Sequence, residues 1–268
     1  MSSTPFFTVI VPTHRRARLL RRALTSLRKQ ELGEGELQVV VVADLHDAAT
    51  AEVASECLGA ADSFVVRSGE PGPSLSRNLG LSLARGRYVL FLDDDDAHAP
   101  GALHSAKGLL EARPLDVALC NFTVVKERRP TGADVEIQGE EAVDSSNRFH
   151  EGIFVKNRIH MSAVIFARHV LEGQGFDPYM RAYEDWEFML GVMKQRPVFH
   201  IPLSLSRVHE VHDQTTDRRG DAAVANDFNA VLDYLYVYRR HPSPNDAVRQ
   251  QRQQLLKQCG LNIPAACL

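Results

Sequence analysis

Short apolar runs alternate with amphipathic stretches along the first half of the chain. FFTVIVP (Phe6 to Pro12), LQVVVVA (Leu37 to Ala43), SFVVR (Ser63 to Arg67) and RYVLFL (Arg87 to Leu92) are β-rich and continuously apolar, the pattern of strands buried on both faces of a parallel sheet. Between them, apolar residues return every three or four positions. Ala17, Leu20, Leu24 and Leu27 do so on a basic stretch from Arg16 to Gln30, and helices are also predicted near Thr50 to Leu58 and from Ser74 to Ala84, after a Gly/Pro loop at 69–73. Thr13 stands where it could cap the first helix. This alternation predicts a doubly wound α/β sheet.

The second half is less regular. A helix is predicted from Pro100 to Ala112, a strand over VALCNFTVV (Val117 to Val125), a further strand over MSAVIFA (Met161 to Ala167) and a short one from Val198 to Ile201. The polar, acidic segment 126–149 has no clear period and reads as a hairpin or excursion. YEDWEFMLGVMK (Tyr183 to Lys194) reads as a helix with two carboxylates at its start. Two more helices, Asp221 to Arg240 and Asp246 to Cys259, are separated by Pro242-Ser243-Pro244.

Composition narrows the classes. A chain of 268 residues with 44% hydrophobic content can bury a sizeable core. A formal charge of -3 gives no overall attraction for nucleic acid. Four scattered cysteines without a CxxC pair argue against zinc or redox motifs and for a reducing compartment. The N-terminal apolar run is too short for a membrane span and precedes its basic residues, so the reading is cytoplasmic.

The candidate chemistry centres on Asp93-Asp94-Asp95-Asp96, directly after an apolar strand. Crowded carboxylates raise the cost of each other's ionisation, so a positive partner is expected there, and a hard divalent cation shared with a diphosphate satisfies that need. A solvated acidic loop or a set of helix-capping residues is the alternative. In doubly wound sheets ligands gather beyond the carboxyl ends of the strands, where Thr13, Asp44 and the aspartate run should converge. The phosphate-binding G-x-x-x-x-G-K-[ST] and G-x-G-x-x-G patterns are absent, and Pro12-Thr13-His14-Arg15-Arg16 carries no glycine, which argues against a nucleotidyltransferase loop.

TVIVPTHRRARLLRRALTSLRKQ, VVVVAD, GPSLSRNLGLSLARGRYVLFLDDDDAHAP and YEDWEFML, in that order, resemble the family 2 glycosyltransferases over about Thr8 to Leu190. The resemblance implies a GT-A fold, a Rossmann-like doubly wound mixed sheet with C-terminal helices. It divides the chain into a glycosyltransferase domain over 1–220, with a donor-binding half at 1–125 and an acceptor half at 126–220, and a helical extension over 221–268. It also implies inverting, metal-dependent transfer from a nucleotide sugar, UDP-linked by preference, to a glycan, lipid-linked glycan or small-molecule hydroxyl.

Residue by residue, the resemblance places Pro12, Thr13, Arg15 and Asp44 at the donor base, and Arg77 and Asn78 near its phosphates or ribose. Asp93 and Asp95 form the ends of a D-x-D signature with Asp95 as the preferred ligand of Mn²⁺ or Mg²⁺, and Asp94 reaches toward the ribose. Asp185 becomes the general base, beside Glu184. His209 and His212 lie where some members complete the metal or diphosphate site. Trp186 would line the acceptor's apolar face, unless it is a packed core residue. The loop after the second strand departs from the family's D-D-G-S, reading Ala43-Asp44-Leu45-His46. A catalytically silent binding protein of the same fold is the alternative. The basic first helix and Arg-rich tail fit a peripheral contact with the inner membrane face or a solvated charged surface, the second being the commoner use.

Overall fold

The computed structural model describes residues 4–129, 135–211 and 228–268. Its strands are β1 (Phe7–Thr13), β2 (Leu37–Ala43), β3 (Ser63–Val66), β4 (Tyr88–Phe91), β5 (Ala97–His98), β6 (Val117–Arg128), β7 (Glu136–Val143), β8 (Val164–Ala167) and β9 (Val198–Val211). They form one mixed sheet in the order β3-β2-β1-β4-β8-β6-β9-β5, with β7 paired to the far stretch of β6. β1 to β4 are mutually parallel where they pair, and β8 runs antiparallel to both β4 and β6. Val9, Ile10, Val39, Val40, Leu90 and Phe91 have no exposed surface, which explains why the first runs are apolar without alternation.

Helices α1 (Ala17–Arg28), α2 (Ala48–Cys57), α3 (Pro73–Leu83), α4 (Ala102–Ala112) and α5 (Glu184–Met193) cover the sheet and its ends. α3 lies close on β1: a Cβ added at Gly80 would come within 2.3 Å of Ile10 Cγ2. That approach sets the height of Arg77, one turn earlier on α3. Behind α5, Phe91, Phe176 and Phe188 pack together, the last two stacked at 3.9 Å.

Two C-terminal helices, α6 (Phe228–Arg240) and α7 (Asp246–Gln258), pack on this body. Tyr238 Oη donates to Val155 O at 2.6 Å, and the fully buried Arg252 donates to the carbonyls of Phe154, Tyr238, His241 and Leu268. The expected start of the first of these helices, near Asp221, lies outside the described residues.

Two expectations need correction, and one alternative is settled. Thr13 does not cap α1; it ends β1, and the α1 N-cap position is Arg16, with no side-chain cap bond. The polar segment after Val125 takes the hairpin reading, with β6 and β7 paired antiparallel. The short strand at Val198 continues to Val211, because its later half, polar and mixed in pattern, pairs with β6 on one side and with β5 on the other. Among the described residues, no helix is long and apolar enough to cross a membrane. Much of the basic charge on α1 is matched within the fold, since Arg21, Arg22 and Arg28 pair with Glu56, Glu127 and Asp62.

Candidate active site

The four aspartates alternate in depth. The side chains of Asp93 and Asp95 are 33% and 30% exposed, whereas Asp94 and Asp96 turn inward at 6% and 4%. A tight turn, with Asp96 N–H donating to Asp93 O at 3.0 Å, produces this division. Asp94 accepts from Thr13 Oγ1 at 2.8 Å and from Arg16 Nη1 at 3.0 Å. Burial pushes its carboxyl up to about 6, although the Arg16 charge opposes the shift. Asp96 accepts from His209 N–H at 2.9 Å and from Ser162 Oγ at 3.4 Å; burial, with Asp95 and Asp93 beside it, holds it well above the usual carboxylate range. Arg16 also reaches Asp95 Oδ2 at 3.1 Å, and Arg22 donates to the Asp95 carbonyl.

The ends of β1 and β2 meet beside this run, as the parallel topology requires. Asp44, 5% exposed, shares a 2.7 Å hydrogen bond with His14 Nδ1 and accepts from Gly72 N–H at 3.0 Å. Pro12 is buried in β1, and Arg15 is exposed in a left-handed backbone conformation at φ 49°.

Arg77 joins the run to α5. Its guanidinium, on a residue 2% exposed, donates to Asp93 Oδ1 at 2.7 Å and to Glu184 Oε1 at 2.9 Å. Burial alone would lower its pKa, but the charges of Asp93, Glu184 and Asp185 outweigh burial and raise it. Glu184 is therefore buried as an ion-pair partner, while its neighbour Asp185 stays partly exposed. Asp185 accepts from the Trp186 N–H at 2.7 Å and from Asn157 Nδ2 at 3.3 Å. Tyr183, just before them, has φ 62°, so both non-glycine turns beside the site, at Arg15 and Tyr183, are left-handed.

Other expected site residues serve the framework. Asn78 donates to Phe176 O at 2.8 Å and accepts from Phe176 N–H at 2.7 Å, so its amide stitches α3 to the loop before α5 and is not offered to a ribose or phosphate. Trp186 is completely buried with its indole N–H on Ile153 O, which makes it a core residue and not an acceptor-facing wall. Asp94 is buried and accepts from Thr13 and Arg16. His209 lies on β9, opposite Val125 and not in a mobile loop, and its Nδ1 shares a 2.9 Å hydrogen bond with Glu127. His212 lies outside the described residues.

Sequence reasoning missed His14, Arg16, Arg22, Glu127 and Asn157. Glu127 is buried among His209, Arg22 and Arg129; burial would raise its carboxyl, but their hydrogen bonds and the Arg22 charge hold it down at about 2. His14 and Arg16 had one available signal, their place directly after the first strand. Glu127 had none, because Arg22 and His209 come to it from α1 and β9.

The mixed sheet, with antiparallel β8 set between β4 and β6, is shared with solved GT-A glycosyltransferases, and the fold is theirs. The chain belongs to glycosyl transferase family 2, whose family model matches residues 8–170. Among curated relatives, it is 32% identical over 124 residues to the poly(ribitol-phosphate) beta-N-acetylglucosaminyltransferase TarS of Staphylococcus aureus, covering 46% of this chain and 22% of that one. It is 35% identical over 102 residues to the GalNAc(5)-diNAcBac-PP-undecaprenol beta-1,3-glucosyltransferase of Campylobacter jejuni, covering 37% of this chain and 32% of that one. The aligned region thus spans less than a third of either relative. Residues 1–349 of TarS, solved with UDP-GlcNAc, superpose with a TM-score of 0.66 at 20% identity, covering 94% of this chain and 72% of the other. The mannosyltransferase PcManGT of Pyrobaculum calidifontis, solved with GDP-Man and Mn²⁺, gives 0.63 at 19% identity, covering 99% and 78%. At these identities the solved structures establish the shared fold.

Proposed function

We propose that this chain transfers a sugar, with inversion, from a nucleoside-diphosphate sugar, UDP-linked by preference, to a hydroxyl of a glycan or lipid-linked glycan. The observation that carries the reading is the Arg77 bridge, which fixes the half-exposed Asp93 and the start of α5, with Asp185, in one rigid unit. TarS has been solved with UDP-GlcNAc, and the two curated relatives are named as beta-glycosyl transferases. An α-linked donor and a β-linked product require inversion.

Asp185 is the proton acceptor in this account. Its partly exposed carboxylate sits at the start of α5, and Trp186 N–H and Asn157 leave it further oxygen lone pairs. As an acceptor hydroxyl attacks the anomeric carbon, its proton passes to Asp185 and the C–O bond to the diphosphate breaks on the opposite face. Glu184 does not take that proton, because it is buried against Arg77. Arg77 holds Asp93 in place, and Asp44 with His14 shapes the floor for the donor base.

The residues fit a divalent cation held in part by substrate. Among the described residues, no three His, Cys, Asp or Glu side chains form a closed metal cluster. Asp93 and Asp95 nonetheless present half-exposed carboxylates, and Mg²⁺ or Mn²⁺ commonly takes one or two such ligands together with substrate phosphates. Asp95 would hold the ion first and Asp93 next; the His209 imidazole, 6% exposed and engaged at Nδ1 by Glu127, is not grouped with them among the described residues. When bound, such an ion supplies charge neutralisation of the departing diphosphate.

The test is release of UDP from UDP sugars in the presence of Mn²⁺ and candidate glycan acceptors, with NMR of the product anomer. A β-linked product from an α-linked donor is expected. A product that retains the α configuration would refute the inverting assignment, and donor binding without any turnover would favour the silent binding protein.

A further inference from the structure

The segment leading into α5 has no regular structure of its own, so its backbone amides need partners from elsewhere. Two consecutive ones, Arg181 N–H and Ala182 N–H, donate to Asp233 Oδ2 at 3.1 and 2.8 Å. Asp233 belongs to α6, about fifty residues further along the chain. The next residue, Tyr183, adopts a left-handed φ of 62°, which side chains with a Cβ resist, and its ring packs edge-on against Tyr234, the neighbour of Asp233, at 4.4 Å. Glu184 and Asp185 follow immediately.

α6 can bear this load because it is itself anchored. Tyr234 and Tyr238 pack on the buried Trp186 of α5, and His241, just past α6, bonds to Glu187 at 3.2 Å. Arg252 of α7 lies 4.1 Å from the Tyr238 ring and fixes the turn after α6 through the His241 carbonyl. The strained turn that aims Asp185 is therefore held from α6, while the carboxylate itself is oriented locally by Asn157 and Trp186 N–H.

Building on the assignment of Asp185 as the base, we propose that Asp233 is a positioning residue for it, and that the C-terminal helices are part of the catalytic apparatus. A carboxylate oxygen accepting two backbone N–H bonds makes charge-assisted contacts that fix a turn in one register. A base displaced by a fraction of an ångström loses rate without losing donor affinity.

Asp233→Ala and Asp233→Asn would be compared with wild type and Asp185→Asn, using UDP-GlcNAc as donor probe. Turnover would be read as UDP release, binding by calorimetry, and order by amide hydrogen exchange. Asp233→Ala is expected to lower kcat about 10-fold or more with donor affinity kept within about 2-fold. Exchange should accelerate at residues 181–186 and not in β1 or β2. Asp233→Asn, which keeps an acceptor oxygen, should recover most of the rate.

Wild-type kcat in Asp233→Ala, beside a slow Asp185→Asn, would overturn the positioning role alone. A fully active Asp185→Asn would overturn the base assignment and this proposal with it. Faster exchange throughout Asp233→Ala, with a matching loss of donor affinity, would reduce Asp233 to a general stabilising residue and also overturn the proposal.

Discussion

The two sides of the candidate site are built by different means. On the side of β1, β2 and β4, polar groups leave the ends of adjacent parallel strands and hydrogen-bond one another: His14 with Asp44, Thr13 and Arg16 with Asp94. On the α5 side, Asp185 rides on a helix whose entry is a left-handed turn held by Asp233 of α6. Charge pairing fixes the first side as a preformed cradle, in which only Asp93 and Asp95 of the aspartate run keep substantial exposure. Backbone anchoring fixes the second, and the Asp185 carboxylate, proposed as the base, stays partly exposed there. Arg77, bonded to both sides, keeps the two in register.

The contrast makes substitutions on the two sides separable. Asp185→Asn should reduce kcat by about 10²–10⁴-fold while leaving affinity for UDP-GlcNAc near wild type. An equal loss of affinity would mean that the two sides are not independent. Arg77→Met leaves Glu184 buried without its cation, on a pair whose side chains are 3% and 2% exposed, and should cost about 3–5 kcal/mol in urea unfolding. A cost below about 1 kcal/mol would contradict the bridging role.

A pH effect of similar but smaller size should come from His98, outside the candidate site on β5. Burial holds its imidazole down at about 4, against 6.5 for the free side chain. The unfolded chain therefore takes up the proton at higher pH than the folded one. This group's contribution to stability is present above pH 6.5 and is lost as pH falls toward 4, amounting to on the order of 3 kcal/mol. Unfolding curves of wild type and His98→Gln should diverge in slope across that window, and parallel curves would refute the shift. The smallest effect belongs to Asp47, which caps α2 through Thr50 N–H at 2.9 Å. Asp47→Ala should lower the melting temperature slightly without changing kcat.

β1, β2 and β4 were legible because burial on both faces leaves uninterrupted apolar runs, while the partly exposed edge strand β3 was legible from its β-rich composition. The acidic run and the Glu184-Asp185 pair were legible from their order and spacing. What escaped detection depends on partners far along the chain. Asn78 carries both polar groups into Phe176, 98 positions away, and this diverts a residue whose motif suggested ligand contact. Arg16 and Arg22 look like any basic positions of an amphipathic helix until the fold sets them against Asp94, Asp95 and Glu127. The full length of β9 was hidden because Ser204, Ser206 and Arg207 interrupt its apolar pattern, while the pairing that orders it comes from β6 and β5.

The central claim, a nucleotide-sugar site centred on Asp95 with a separate base at Asp185, is tested most directly by thermal unfolding with UDP-GlcNAc and Mn²⁺. Ligand that binds the folded state alone raises the melting temperature by mass action. The account predicts a rise for wild type and for Asp185→Asn, and none for Asp95→Ala or with EDTA present. A rise of equal size in Asp95→Ala, or one unaffected by EDTA, would contradict it.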